Sequence, residues 1–151
     1  MEKVEWRIFL DTSVLLAAVY SETGAARVIL KLGEAEAISL WIGPSVLKEM
    51  EAVLARKSPK SKGLFALLLH QARVQIGPEP DADSLRLSSL LIDYAPDARV
   101  LAEAIAIQSD YLVSFDRKHL VGNEKLDAAP LAVGTPGDFL AWYRTQLAGR
   151  A

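Results

Sequence analysis

PDARVLAEAIAIQSDYLVSFDRKHL, residues 96–120, is the stretch on which the fold turns. Val100, Leu101, Ala104 and Ile105 recur at helical spacing, which predicts a helix over 98–108. The run YLVSF, 111–115, follows at once and reads as a buried strand. A helix of ~11 residues descends roughly 16 Å at 1.5 Å per residue. A five-residue strand climbs back about 16 Å. Asp97, opening the helix, and Asp116, ending the strand, therefore return to one level.

The same alternation extends in both directions. Short apolar runs at 7–10, 38–42 and 131–133 read as strands, and 73–76 reads either as a weak strand or as the tail of a helix. Helical patterns cover 24–36, 45–56, 62–73, 82–92 and a last segment from about Pro136 to Leu147, with proline at its start. Strands alternating with helices predict an α/β fold, a three-layer α/β/α sandwich around a mostly parallel sheet, with the whole chain 1–151 as one domain.

Composition narrows the chemistry. Hydrophobic residues make up 51% of the 151, enough for one sizeable core. The formal net charge is −2, which argues against a broadly basic nucleic-acid coat while leaving room for a local patch. Cys is absent and there are two His, so thiolate sites are excluded and a His-rich zinc site is disfavoured. Any metal would be a hard cation on carboxylates. IFLDTSVLLAAVY is apolar but broken by Asp11, and no run reaches the ~20 apolar residues of a membrane span. The expectation is a soluble, cytoplasmic protein.

In a parallel sheet, strand C-termini and the following helix N-termini share one edge. Asp11 ends the first strand, Glu49 lies one turn into the helix after 38–42, and Asp97 and Asp116 share a level. Each has a plainer reading when taken alone. Asp11 can cap a helix starting at Ser13 or Val14, Asp97 can cap the helix after Pro96, Glu49 can be a solvated helix residue, and Asp116 can close a turn. Asp93, four residues before Asp97, competes for the third position.

FLDTSVLL, PSVLKEMEAVL, the 96–120 block and a closing TPGDFL, in that order, resemble the PIN domain family, which includes nuclease toxins of the VapC type. The resemblance implies a Mg²⁺- or Mn²⁺-dependent ribonuclease with Asp11, Glu49, Asp97 and Asp116 as its catalytic, metal-binding acids. Ser13 and Ser114 match the family's small polar positions and are expected to hydrogen-bond the carboxylates. It further implies a homodimer, an antitoxin protein as partner where the nuclease is a toxin, and products ending in 5′-phosphate and 3′-hydroxyl. Some relatives carry a further acid after the fourth, where this chain has Lys118 and His119.

Arg117 and Lys118 adjoin Asp116 and are candidates for RNA phosphate contact, with Lys48, Arg56, Lys57, Lys60 and Lys62 as weaker ones. His70 and His119 are expected to be structural, Phe115 to turn toward the core, and Trp41 and Trp142 to anchor the core or an interface. Two other phosphoryl-transfer classes fit poorly. Ser13 breaks the Asp-x-Asp of a haloacid-dehalogenase-like phosphatase, and 38–44 lacks the phosphorylatable Asp of a receiver domain. No glycine-rich nucleotide loop occurs. The alternative of a different kind is a non-catalytic PIN-like scaffold that binds RNA or protein.

Overall fold

The computed structural model describes residues 5–149. Five strands, β1 (Arg7–Leu10), β2 (Ser39–Ile42), β3 (Gln75–Ile76), β4 (Tyr111–Val113) and β5 (Ala132–Gly134), form one sheet in the order β3-β2-β1-β4-β5. Every pairing is parallel, with Leu10 opposite Val113. Parallel strands need long crossovers, and helices supply them. These are α1 (Thr12–Tyr20), α2 (Ala25–Glu34), α3 (Pro44–Lys57), α4 (Lys62–Gln71), α5 (Ala82–Leu91), α6 (Ala95–Ala106) and α7 (Pro136–Ala148). With both faces of the sheet covered, the central strands are apolar throughout. Ile8, Phe9, Leu10, Leu112 and Val113 are fully buried, and Ile29, Val46, Met50, Leu101 and Phe139 close over them.

β1 lies at the centre. The chain leaves it toward β2 and β3, then returns through α5 and α6 to pair β4 on its other side. The direction of winding thus reverses between β1 and β4. A crevice opens at such a point, outside the carboxyl ends of the two strands.

Several boundaries differ from the sequence reading, each for a local reason. The strand at 73–76 shrinks to Gln75–Ile76 and is not a helix tail, because Arg73 takes a left-handed turn (φ 56°) between α4 and the strand. Glu36 and Gln108 do the same after α2 and α6, with φ 60° and 57°. In all three, the amide of the next residue reaches back five residues, Ala37 to Leu32, Val74 to Leu69 and Ser109 to Ala104, closing the helix and aiming the chain into a strand. Glycine is the usual signal for this turn, and here it is missing. The helix expected at 98–108 begins three residues earlier, because Pro96 suits the first turn. The fourth strand stops at Val113, since the Phe115 amide bonds a side chain, the Ser13 hydroxyl, rather than a neighbouring strand.

Trp142 is packed with Trp6, Tyr111 and Phe139, ring centroids 5.1–5.8 Å apart, and Trp41 is half-buried against the core with its indole N–H on Ser39 Oγ. His70 is exposed rather than structural, because α4 turns only Phe65 and Leu68 fully inward. Among the described residues, no single helix is long and apolar enough to cross a membrane; α1 and α2 would do so only as a pair bent by 96°.

Candidate active site at the carboxyl edge of the sheet

Asp11 follows β1 directly and caps α1, its Oδ1 accepting the Thr12 amide at 2.8 Å. Capping is only half of its bonding. Oδ2 points across the β1–β4 crevice and accepts from Ser114 Oγ at 2.7 Å and Ser13 Oγ at 3.3 Å. Ser114 is fully buried, and its hydroxyl also accepts the Asp116 amide at 2.9 Å. Ser13 accepts the Phe115 amide at 3.0 Å. Two hydroxyls thus lace the ends of the two central strands together through one carboxylate.

Glu49, one and a half turns into α3, is drawn to the same edge by Thr12, whose hydroxyl donates to its Oε2 at 3.1 Å. Asp116 does close a turn, its Oδ1 accepting the amides of Lys118 at 2.8 Å and His119 at 3.2 Å. Asp97 occupies the third position of α6, not its cap, beside the Asp116 carboxyl. Its Oδ2 is buried, accepts no hydrogen bond and lies 3.9 Å from His119 Nε2.

The electrostatics follow from this crowding. Burial, the polar contact of the Asp116 side chain, and then the charges of Asp116, Asp11 and Glu49 push the Asp97 carboxyl from 3.8 up to about 7. Asp11 is also raised. Burial is the largest cause; the Ser114 and Thr12 bonds oppose it, Glu49's charge adds to it, and Ser13 lowers it again. The other three acids named from the sequence therefore all bear on Asp97, and Glu49 bears on Asp11 as well. Asp93 does not figure among the charges that move Asp97; it is exposed on the approach to α6.

These groups suit a hard divalent cation in their donors: carboxylate and hydroxyl oxygens, a surplus of negative charge, and one buried Asp97 oxygen with no partner. Among the described residues, however, no three His, Asp or Glu side chains are arranged to hold an ion as they stand. Asp11 is turned onto its hydroxyls instead.

Three features escape the sequence reading. Thr12 was unremarkable as a helix opener, yet it orients Glu49. Phe115 is exposed rather than turned to the core. Glu103 is 1% exposed, and from α6 it accepts the Ser45 amide at 2.8 Å, capping α3, whose own cap residue is Gly43. A methyl group at Gly43 would overlap that carboxyl. Burial raises the Glu103 carboxyl, opposed by the Ser45 bonds. Gly-Pro at 43–44 carried the one legible hint, a helix start with no capping side chain.

Residues 7–118 match the sequence pattern of the PIN domain family. No curated protein matches the chain. Two solved structures share the fold. One is a chain of VapBC2 from Rickettsia felis bound to a promoter DNA fragment, with a TM-score of 0.63 and 17% identity over 84% of this chain and 96% of that one. The other is a chain of FitAcB from Neisseria gonorrhoeae, with a TM-score of 0.55 and 19% identity over 85% and 97%. At these identities the structures speak for the fold alone, whereas the sequence pattern spans most of the chain, from β1 to the turn closed by Asp116: the chain belongs to the PIN domain family.

Proposed function

We propose that this protein is a metal-dependent ribonuclease that hydrolyses RNA phosphodiester bonds at the β1–β4 crevice. The observation that carries the reading is the convergence of Asp11, Glu49, Asp97 and Asp116 on one edge, where the other three charges all raise the Asp97 carboxyl and Glu49 raises Asp11. Four carboxylates in one crevice repel one another when ionised, and a divalent cation offsets that repulsion. Asp11, Asp97 and Asp116, with Glu49, are the residues that would hold Mg²⁺ or Mn²⁺. The chemistry such an ion supplies is Lewis acidity toward the scissile phosphate and a nearby water.

The chain's own groups do the rest. Ser13 and Ser114 hold the Asp11 carboxylate in one orientation, as outer-shell donors do for a metal ligand. Thr12 restrains Glu49. Burial and the neighbouring carboxyls hold the Asp97 carboxyl, the group on which an added positive charge would act most strongly, up at about 7. Attack by water rather than by the ribose 2′-hydroxyl, with the P–O3′ bond breaking and the 3′-oxygen leaving with a proton, gives 5′-phosphate and 3′-hydroxyl ends. Asp11→Asn and Asp116→Asn keep size and remove one charge, so RNA cleavage falls at least ~100-fold in each, in line with other charge-stabilising groups in active sites. Near-wild-type rates in both variants, or 2′,3′-cyclic phosphate ends on the products, would reject the reading.

β5 and α7 lie wholly beyond the matched stretch, yet β5 pairs with β4 and α7 packs on α2, which supports one domain. Proposed partners are a second copy of the chain, with the exposed Leu64 and Leu67 of α4 as the apolar surface available, and an antitoxin if the enzyme is a toxin. The neighbouring reading frame decides the latter. The alternative, a non-catalytic scaffold, has one observation on its side: the acids do not surround an ion as they stand. Saturable Mn²⁺ binding that is lost in Asp11→Asn excludes it.

A further inference from the structure

We infer that the cleft beside the Asp97–Asp116 pair is a nucleobase-binding subsite for single-stranded RNA, with Tyr94 as its stacking surface. The cleft has a volume of about 750 Å³ and is lined by Tyr94, His119, Arg117, Lys118 and Lys125, together with Asp93 and Glu124. Tyr94 is a large aromatic residue left 51% exposed immediately before α6. Its ring lies flat on that of His119, centroids 4.8 Å apart and planes within 17°. One face of the tyrosine is therefore supported from within, and its exposure leaves ring surface open to the cleft.

The stack is tied to the acids at fixed offset. The His119 amide donates to Asp116 Oδ1 at 3.2 Å, and its Nε2 lies 3.9 Å from Asp97 Oδ2. A base laid on Tyr94 thus places its own phosphates within reach of the carboxyl edge. Three permanent cations line the cleft against two acids, a local surplus in a chain whose net charge is −2. An aromatic platform with cations beside it is how proteins hold unpaired nucleotides: every base has a π face, and the cations take the backbone. Double-stranded RNA, with its bases already stacked, has no use for such a surface.

This inference rests on the nuclease reading for the identity of the polymer, and the test keeps the two apart. Fluorescein-labelled octaadenylate and an abasic ribose-phosphate octamer of the same length are titrated against wild type, Tyr94→Ala and Tyr94→Phe, by anisotropy in EDTA. Tyr94→Ala should weaken the octaadenylate about tenfold to a hundredfold and leave the abasic octamer unchanged, while Tyr94→Phe keeps both affinities. Lys118→Ala should weaken both polymers and lower the salt slope by about 0.7. Equal losses on both polymers in Tyr94→Ala, no loss on either, or no binding by wild type overturns the subsite. Cleavage of octaadenylate by wild type in Mn²⁺ is scored separately. Binding that depends on Tyr94 without any cleavage would leave the subsite standing and remove the nuclease.

Discussion

Replacing Asp97 by Asn removes one charge from a crowded carboxylate site without changing its shape, and its effect on stability reports how strongly the acids repel. The Asp97 carboxyl is raised from 3.8 to about 7 in the fold. A group raised in this way binds more protons folded than unfolded between those two values. Its contribution is fully present below about pH 4, is lost as pH rises toward 7, and stays lost above. At ~1.4 kcal/mol per pH unit the whole interval corresponds to roughly 4 kcal/mol. The crevice is open to solvent on one side, so screening leaves about 1–2 kcal/mol.

A second effect opposes the gain. Asp97 lies in the first turn of α6, where a negative charge favours the helix by about 0.3–1 kcal/mol. Repulsion wins, by about 1 kcal/mol, which for a chain of this size raises Tm by roughly 2–4 °C. Calorimetry of wild type and Asp97→Asn in EDTA at pH 7.5 and pH 4.5 measures it. The gain should be present at pH 7.5 and largely gone at pH 4.5, where the wild-type pair already carries its proton. Asp93→Asn, exposed and outside the cluster, is the control and should not move. A variant no more stable than wild type at pH 7.5, or equally stabilised at both pH values, would refute the repulsion and return Asp97 to the status of an ordinary helix acid.

Mn²⁺ in place of EDTA should stabilise the wild type, by about 2.7 kcal/mol at a hundredfold excess over Kd, and so raise its Tm, and should raise that of Asp97→Asn less; thermal melts over a Mn²⁺ series decide it. Glu103→Ala strips the Ser45 amide of its acceptor inside the fold and should cost about 1–3 kcal/mol in denaturant unfolding, whereas Glu103→Gln, which keeps an acceptor and drops a buried charge, should cost far less. Gly43→Ala should destabilise by ~1–3 kcal/mol through overlap with the Glu103 carboxyl, and pairing it with Glu103→Ala should recover part of that loss, so strictly additive effects would reject the contact. Gln108→Gly relieves a left-handed turn and should stabilise by up to about 1 kcal/mol in the same assay.

What could be read from the chain beforehand follows from the range over which each signal acts. Buried parallel strands announce themselves as apolar runs, so β1, β2 and β4 were legible, and the rise of the α6 helix against the length of β4 put Asp97 and Asp116 at one level. Strand order was not legible, because it depends on contacts between residues far apart in the chain, from about thirty to about a hundred positions. Arg7 pairing beside Ser39, and Leu10 opposite Val113, leave no trace in local spacing. The turns at Glu36, Arg73 and Gln108 were hidden for the opposite reason. Their conformation is set locally, but the residue types that usually mark it are absent, so helix ends at 34, 71 and 106 were placed two residues too far along. Glu103 shows a third kind of blindness. A glutamate on a helix face reads as solvated, and only the seating of α6 on α3 turns it into a buried cap for another helix.

The four acids are not equivalent, and the difference comes from which of them the fold has already satisfied. Asp11 spends one oxygen on the Thr12 amide and the other on Ser13 and Ser114. Asp116 spends one on the turn at Lys118 and His119, and Glu49 is held by Thr12. Each of these bonds gives a carboxylate oxygen a donor, and at Asp11 the Ser114, Thr12 and Ser13 bonds oppose the upward push of burial. Asp97 receives no such donor; its buried oxygen faces only the His119 ring at 3.9 Å. The cost of assembling the cluster therefore collects on Asp97, which holds its proton up to about pH 7. Positive charge entering the crevice gains most by displacing that proton, which ties cation affinity to pH: between about pH 5 and 7 each bound ion should release protons, and Asp97→Asn should abolish most of that release while leaving the Asp11 hydroxyl network in place.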